Sequence, residues 1–184
     1  SATLDGNVRR FDLGRFGNRY FLYIAAFGMF TNVSYNTSQK VKNVLGHAAY
    51  ILEGVRQLSE IRSYHMHIHS QNMDLEDRFI FGMVTNSLSV GGFKSMMPED
   101  VQLNDGQFEV ILVKMPQNIA ELNELITSLV KENIYENKYI MYFKASEIEF
   151  IAKEDIDWTL DGEYGGKEQY VRIENLREDV EIIV

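Results

Sequence analysis

Most of the chain carries the apolar patterning of β-strands, and two stretches carry that of helices. Residues 64–70, "YHMHIHS", alternate strictly between polar and apolar side chains, which puts the two kinds on opposite faces of a strand. Residues 8–13 and 19–28 are rich in aromatic and β-branched residues, with Gly14 and Gly17 between them. Residues 78–85, 108–115, 139–145, 147–153, 169–173 and 180–184 complete the predicted strands. The run "FEVILVKM" at 108–115 is apolar on both faces, which predicts cover on both sides. "YENKY" at 135–139 reads as a turn entering a strand. In residues 38–58, Val41, Val44, Leu45, Ala48, Ile51, Leu52 and Val55 recur at steps of three and four, behind Thr37 as N-cap. Residues 118–132 form the second predicted helix, with Leu122, Leu125, Ile126 and Leu129 on its apolar face. Asn118 precedes it and Glu121 sits three residues on, a capping box with asparagine in place of Ser or Thr. The class that follows is mainly β: a β-sandwich with two added helices.

A length of 184 residues with 45% hydrophobic content supports one core, so residues 1–184 are read as a single domain. A net charge of -9 repels a phosphate backbone and excludes nucleic acid as a general partner. It also argues against adsorption to an anionic bilayer by charge alone. Arg9, Arg10, Arg15 and Arg19 cluster near the N-terminus and are read as a solvated strand edge. The absence of cysteine excludes disulfides, thiolate nucleophiles and zinc–cysteine sites, and fits a reducing compartment. No apolar run reaches the roughly 18 residues of a membrane span, so any membrane contact is expected to be peripheral. The non-methionine start is expected to be a processed or engineered end.

His65, His67 and His69 share one strand face, and imidazole is a common metal ligand. Same-face neighbours stand about 6.6–6.8 Å apart along a strand, too far to converge easily on one ion. With Met66 and Ile68 opposite them, they are read as the solvated face of a half-buried strand. No nucleophile elbow and no glycine-rich phosphate loop of either common type occurs. Three glycine-marked spots remain. "NSLSVGGF" at 86–93 reads as a loop. "NDG" at 104–106 reads as a turn, whose Asp105 carboxylate and nearby carbonyls also suit a hard cation such as Mg²⁺. "LDGE" at 160–163 has two readings. In extended backbone Asp161 and Glu163 lie on one face, where one carboxylate can meet a metal–nucleotide and the other accept a proton. Alternatively, Asp161–Gly162 is an ordinary hairpin turn.

The order "YFLYIAAFG", "SYNTSQKVKNVLGHAAYILEGVRQL", "NSLSVGG", "QLNDGQFEVILV", "WTLDGE" resembles the C-terminal half of the diacylglycerol kinase/YegS-type lipid kinases, over residues 8–184. The resemblance implies the second domain of a diacylglycerol kinase/NAD kinase-like architecture, a β-sandwich that faces a nucleotide-binding domain across a cleft. That N-terminal domain carries a G-G-D-G-T loop, which does not occur in this chain. It further implies ATP as phosphate donor, bound mainly by the other domain, and a lipid substrate such as diacylglycerol. Glu163 matches the glutamate that accepts the lipid hydroxyl proton. Asp161, beside Gly162, matches the acid that helps organise the nucleotide and its metal. The N-D-G turn matches a structural Mg²⁺ site, with the Asp105 carboxylate and the backbone carbonyls of Gln102 and Gln107 as ligands. Tyr23 stands where many relatives have asparagine. The isolated domain is expected to be inactive, cytoplasmic or peripheral at the inner face of the membrane, and open to self-association through exposed strand edges. Two other readings stay open: a non-enzymatic lipid-sensing or regulatory sandwich, and a kinase for another acceptor such as a sphingoid base.

Overall fold

In a computed structural model, the structure describes residues 8–29, 58–88, 101–130 and 136–183. Among the described residues there are nine strands and one α-helix. In chain order they are β1 (Val8–Phe16), β2 (Arg19–Phe21), β3 (Ile24–Gly28), β4 (Tyr64–Ser70), β5 (Met73–Thr85), β6 (Phe108–Lys114), α1 (Ile119–Val130), β7 (Ile140–Ala145), β8 (Glu147–Leu160) and β9 (Glu163–Ile183). The predicted helix at 38–58 lies outside the described residues but for Leu58, which opens a short 3-10 turn, Leu58–Glu60.

All strand pairs are antiparallel, in the order β2-β1-β9-β8-β3-β5-β6-β7. β3 and β4 lie end to end in the gap between the two long strands β5 and β8: β3 pairs with their C-terminal parts, β4 with their N-terminal parts. The sheet rolls over on itself. Phe21 of β2 and Phe108 of β6 sit far apart in strand order, yet their ring centroids are 5.4 Å apart. Gly14 makes the roll feasible, because a Cβ there would lie 2.3 Å from the Phe21 ring.

The inner core is aromatic. Trp158 on β8 is surrounded by Phe16, Phe27 and Phe150 at centroid distances of 5.0, 4.9 and 5.2 Å, all in edge-to-face geometry. Such pairs add to the burial energy of the rings themselves. A second core lies on the other face of β3–β5–β6–β7, where α1 lays Leu122, Leu125, Ile126 and Leu129 against Ile80, Met83, Ile111, Val113 and Ile140. This explains the doubly apolar pattern of β6: Phe108, Val110 and Leu112 face the aromatic core, while Ile111 and Val113 face the helix. The helix starts as its sequence requires. The Asn118 side chain accepts the Glu121 N–H at 3.0 Å, and Glu121 reaches back to the Gln117 N–H at 2.7 Å.

Several strand predictions are corrected in extent: β1, β5 and β8 run beyond the expected 8–13, 78–85 and 147–153. The single strand expected at 19–28 is broken by a bend at Leu22–Tyr23. The two expected at 169–173 and 180–184 are one 21-residue strand, β9, which pairs first with β8 and then with β1. Its polar middle carries a bulge at 177–179, where Glu178 takes φ 54° and gives its N–H to Asp12, so composition hid the continuity. Trp158→Ala is expected to cost ~3–5 kcal/mol of stability, measured by urea unfolding followed by far-UV circular dichroism.

Candidate functional site

β8 ends at Leu160 and β9 begins at Glu163, and the two residues pair directly. Asp161 and Gly162 are therefore a two-residue hairpin loop, with φ of 52° and 88°. Positive φ at both loop residues is what the Asp-Gly dipeptide favours. Asp161 and Glu163 do not share one face of an extended strand, and the one-pleat spacing expected from sequence is corrected here: the turn rotates them apart. Of the two readings of "LDGE", the backbone bears out the hairpin turn, at whose exit Glu163 is exposed. Nothing lies within 4 Å of where a Gly162 Cβ would be, so the tip is open.

Asp161 turns back into the fold. Its Oδ2 accepts the Leu22 N–H at 2.8 Å, and its Oδ1 accepts the N–H groups of Tyr23 and Ile24, both at 2.9 Å. Its own N–H donates to the Ile24 carbonyl at 2.8 Å. The Tyr23 carbonyl in turn accepts from the Asn86 N–H at 3.1 Å and the Thr85 hydroxyl at 2.7 Å. Asn86 opens the "NSLSVGGF" stretch, of which residues 89–93 lie outside the described residues. Its side-chain NH₂ donates to the carbonyls of Asp12 and Leu103 at 3.1 and 3.2 Å. Asp12 is fully buried and closes the chain of contacts, accepting the Gly106 N–H at 2.7 Å and the Glu178 N–H at 2.8 Å. The motifs are thus tied together at one end of the sheet. The roles of Asp12 and the Asn86 side chain had no local sequence signal; their partners lie far along the chain.

At the N-D-G turn, Asp105 Oδ1 accepts the Gln107 N–H at 3.0 Å, and Oδ2 lies 3.9 Å from Lys144 Nζ. Lys144 Nζ is also 3.6 Å from Oε1 of Glu109, whose two carboxylate oxygens are buried with no hydrogen-bond partner. All the donors here are oxygens, as a hard cation requires, and the buried Glu109 carboxyl lies beside them. Among the described residues no group of three His, Asp or Glu side chains is close enough to hold a metal ion. A cation at this turn would therefore rest on Asp105 and on the Gln102 and Gln107 carbonyls. Lys144 competes for the same carboxylate.

The histidines behave as the sequence reading expects. His65, His67 and His69 are partly exposed while Met66 and Ile68 are buried. His67 and His69 contact Asp74 at 2.7 and 3.1 Å, and these hydrogen bonds hold the Asp74 carboxyl below the usual range. The arginine edge is a ladder of cross-strand ion pairs onto β9: Arg10 with Glu181, Arg15 with Glu174 and Arg19 with Glu168.

The fold and these motifs find relatives. A family model, the YegS C-terminal NAD kinase beta sandwich-like domain, matches residues 25–183. The chain is similar to diacylglycerol kinases of Staphylococcus epidermidis (31% identity over 166 residues, 90% of this chain and 52% of the relative) and Bacillus subtilis strain 168 (32% over 165 residues, 90% and 54%). The match to a diacylglycerol kinase of Staphylococcus aureus is 33% over 168 residues, 90% and 52%. Two crystal structures from Bacillus anthracis str. Sterne share the fold over 96% of this chain: one at TM-score 0.72 and 22% identity over 57% of its length, and a diacylglycerol kinase at TM-score 0.60 and 19% identity over 54%. The fold is that of a kinase-associated β-sandwich. The chain belongs to the YegS C-terminal NAD kinase β-sandwich-like family, the C-terminal domain of diacylglycerol kinase/YegS-type kinases. It spans about half the length of the curated relatives it matches. No helix among the described residues is long and apolar enough to cross a membrane.

Burial raises the Glu109 carboxyl from 4.5 to about 7, against the opposing pull of Lys144. Between pH 4.5 and about 7 the folded state holds a proton that the unfolded chain has lost, so stability falls as pH rises through that window. The full difference is ~3 kcal/mol. Glu109→Gln is expected to flatten this dependence and to raise the melting temperature above pH 7, measured by thermal melts from pH 5 to 8.

Proposed function

We propose that this domain is the acceptor-side half of an ATP-dependent lipid kinase, which transfers the γ-phosphate to the hydroxyl of diacylglycerol or a similar lipid. The observation that carries the reading is Glu163, a solvent-facing carboxylate at the first position of β9, beyond an open glycine tip. The names of the relatives supply the reaction class. Phosphoryl transfer asks a protein mainly for positioning and charge. Glu163 accepts the proton of the lipid hydroxyl as that oxygen forms its bond to the γ-phosphorus and the bond to the ADP oxygen breaks. The open tip at Gly162 leaves room for the phosphates, which a separate N-terminal nucleotide-binding domain would hold. Mg²⁺ accompanying ATP would offset the charge developing on the phosphoryl oxygens, and a second, structural Mg²⁺ would be held by Asp105 and the carbonyls of Gln102 and Gln107. Leu22, Leu88 and Tyr164 are more than half exposed, at 51, 55 and 57%, and offer an apolar surface to an amphiphilic acceptor at the membrane face. Without its nucleotide-binding partner the domain is inactive.

The test is phosphate transfer from labelled ATP to diacylglycerol by the full-length parent with Mg²⁺. Glu163→Gln should lower turnover ~10²–10⁴-fold. As a surface change, it should move stability by no more than about 0.5 kcal/mol. Unchanged turnover removes Glu163 from the mechanism. A parent inactive on diacylglycerol and on other lipid alcohols would favour a non-enzymatic binding domain.

A further inference from the structure

We propose that Asp161 is a positioning residue rather than a metal ligand: its carboxylate locks the 22–24 bend to the β8–β9 hairpin tip and so fixes where Glu163 stands. The inference rests on the kinase reading for its catalytic half, and on hydrogen-bond geometry alone for its structural half.

β2 ends at Phe21 and β3 begins at Ile24, so the chain must turn between two strands without glycine or proline. The N–H groups of three consecutive residues, Leu22, Tyr23 and Ile24, converge on one point. Successive N–H groups of this kind make an anion-binding concavity. Asp161 fills it from 137 to 139 residues away in sequence. A carboxylate offers about four lone-pair directions, and three are taken here, all at 2.8–2.9 Å. Little is left with which to ligate a cation. The backbone completes the lock, with the Asp161 N–H on the Ile24 carbonyl. Asp161 also holds φ 52°, a conformation that aspartate, asparagine and glycine tolerate best. Both acids of the motif are exposed, but the Asp161 carboxylate is engaged by three backbone N–H groups, whereas Glu163 stands at the exit of the turn.

The bend so fixed is a wall of the candidate site, because Leu22 and Tyr23 are exposed beside the tip. The bend is braced from the opposite side by Asn86 and Thr85 on the Tyr23 carbonyl. Removing the Asp161 carboxylate frees the tip to shift against the bend, and a displacement of about 1 Å is enough to cost ~10²-fold in rate.

The test uses the full-length parent, with Asp161→Gly, Asp161→Asn and Glu163→Gln. Glycine keeps the turn conformation while deleting the carboxylate. Asparagine keeps the turn and one acceptor oxygen, but presents an NH₂ where the second oxygen accepted. Hydrogen exchange of the peptide covering residues 20–28 reads the lock directly. Steady-state kinetics at varied Mg²⁺ read its consequence. In Asp161→Gly the 22–24 amides should lose protection and kcat should fall ~10²-fold. Half-saturating Mg²⁺ should stay within twofold of the parent. Asp161→Asn should fall between the two in both measurements. Unchanged exchange with a tenfold rise in half-saturating Mg²⁺ would make Asp161 a metal ligand and overturn the proposal. Lost protection with unchanged kcat would also overturn it, leaving Asp161 a structural residue only. If instead Glu163→Gln has full activity, the kinase reading of Glu163 fails, and the exchange result still decides whether Asp161 locks the bend.

Discussion

The packing of Trp158 against Phe16, Phe27 and Phe150 is the contact on which the rest of the molecule depends. It joins β1, β3 and β8, which belong to separate parts of the chain. Once Trp158 is seated, the register of β8 is fixed, because a slip of one residue would turn the indole to solvent. Leu160 then falls opposite Glu163, and the hairpin tip can form only at Asp161 and Gly162. The position of Glu163 is thus set from Trp158, five residues away in sequence.

The acidic chain manages its charge in two ways. On the outside, arginines of β1 and β2 meet glutamates of β9 in a cross-strand ladder. Each exposed pair contributes little on its own, but the ladder offsets repulsion along a strand dense in carboxylates. Inside, two acids among the described residues are buried with opposite outcomes. Asp12 is satisfied by two backbone N–H groups. Glu109 has no close hydrogen-bond partner and only the Lys144 ammonium at 3.6 Å. One is therefore an anchor and the other a local expense.

What could be read from the sequence was what local pattern controls. Residues 64–70 form β4 as expected, since strict alternation admits one period. The helix at Ile119–Val130 follows its cap and its apolar face. The double cover of β6 was written in its continuous apolar run. The bend at Leu22–Tyr23 was not legible, because "YFLYIAAFG" has no breaker at that point and the cause is Asp161, far along the chain. The candidate site was half legible. The acids and the glycine turns could be located, and the resemblance ordered them, but the hold of Asp161 on the 22–24 amides follows from φ at the hairpin and not from spacing. Asp12 carried no signal at all: one acid in a basic, strand-like segment, with partners 94 and 166 residues distant.

The hydrogen bonds that run from Asp161 through Tyr23 and Asn86 to Asp12 and Gly106 have a bearing on heredity. Short signatures scattered over some 150 positions of sequence are, in space, neighbours along one wire of donors and acceptors. Asp161, Asn86 and Asp12 enter it with side chains, while Tyr23 and Gly106 enter only through their backbone. Coupling between substitutions is therefore expected among the first three. Their order along the gene is the trace of a single knot, tied once at the end of a rolled sheet.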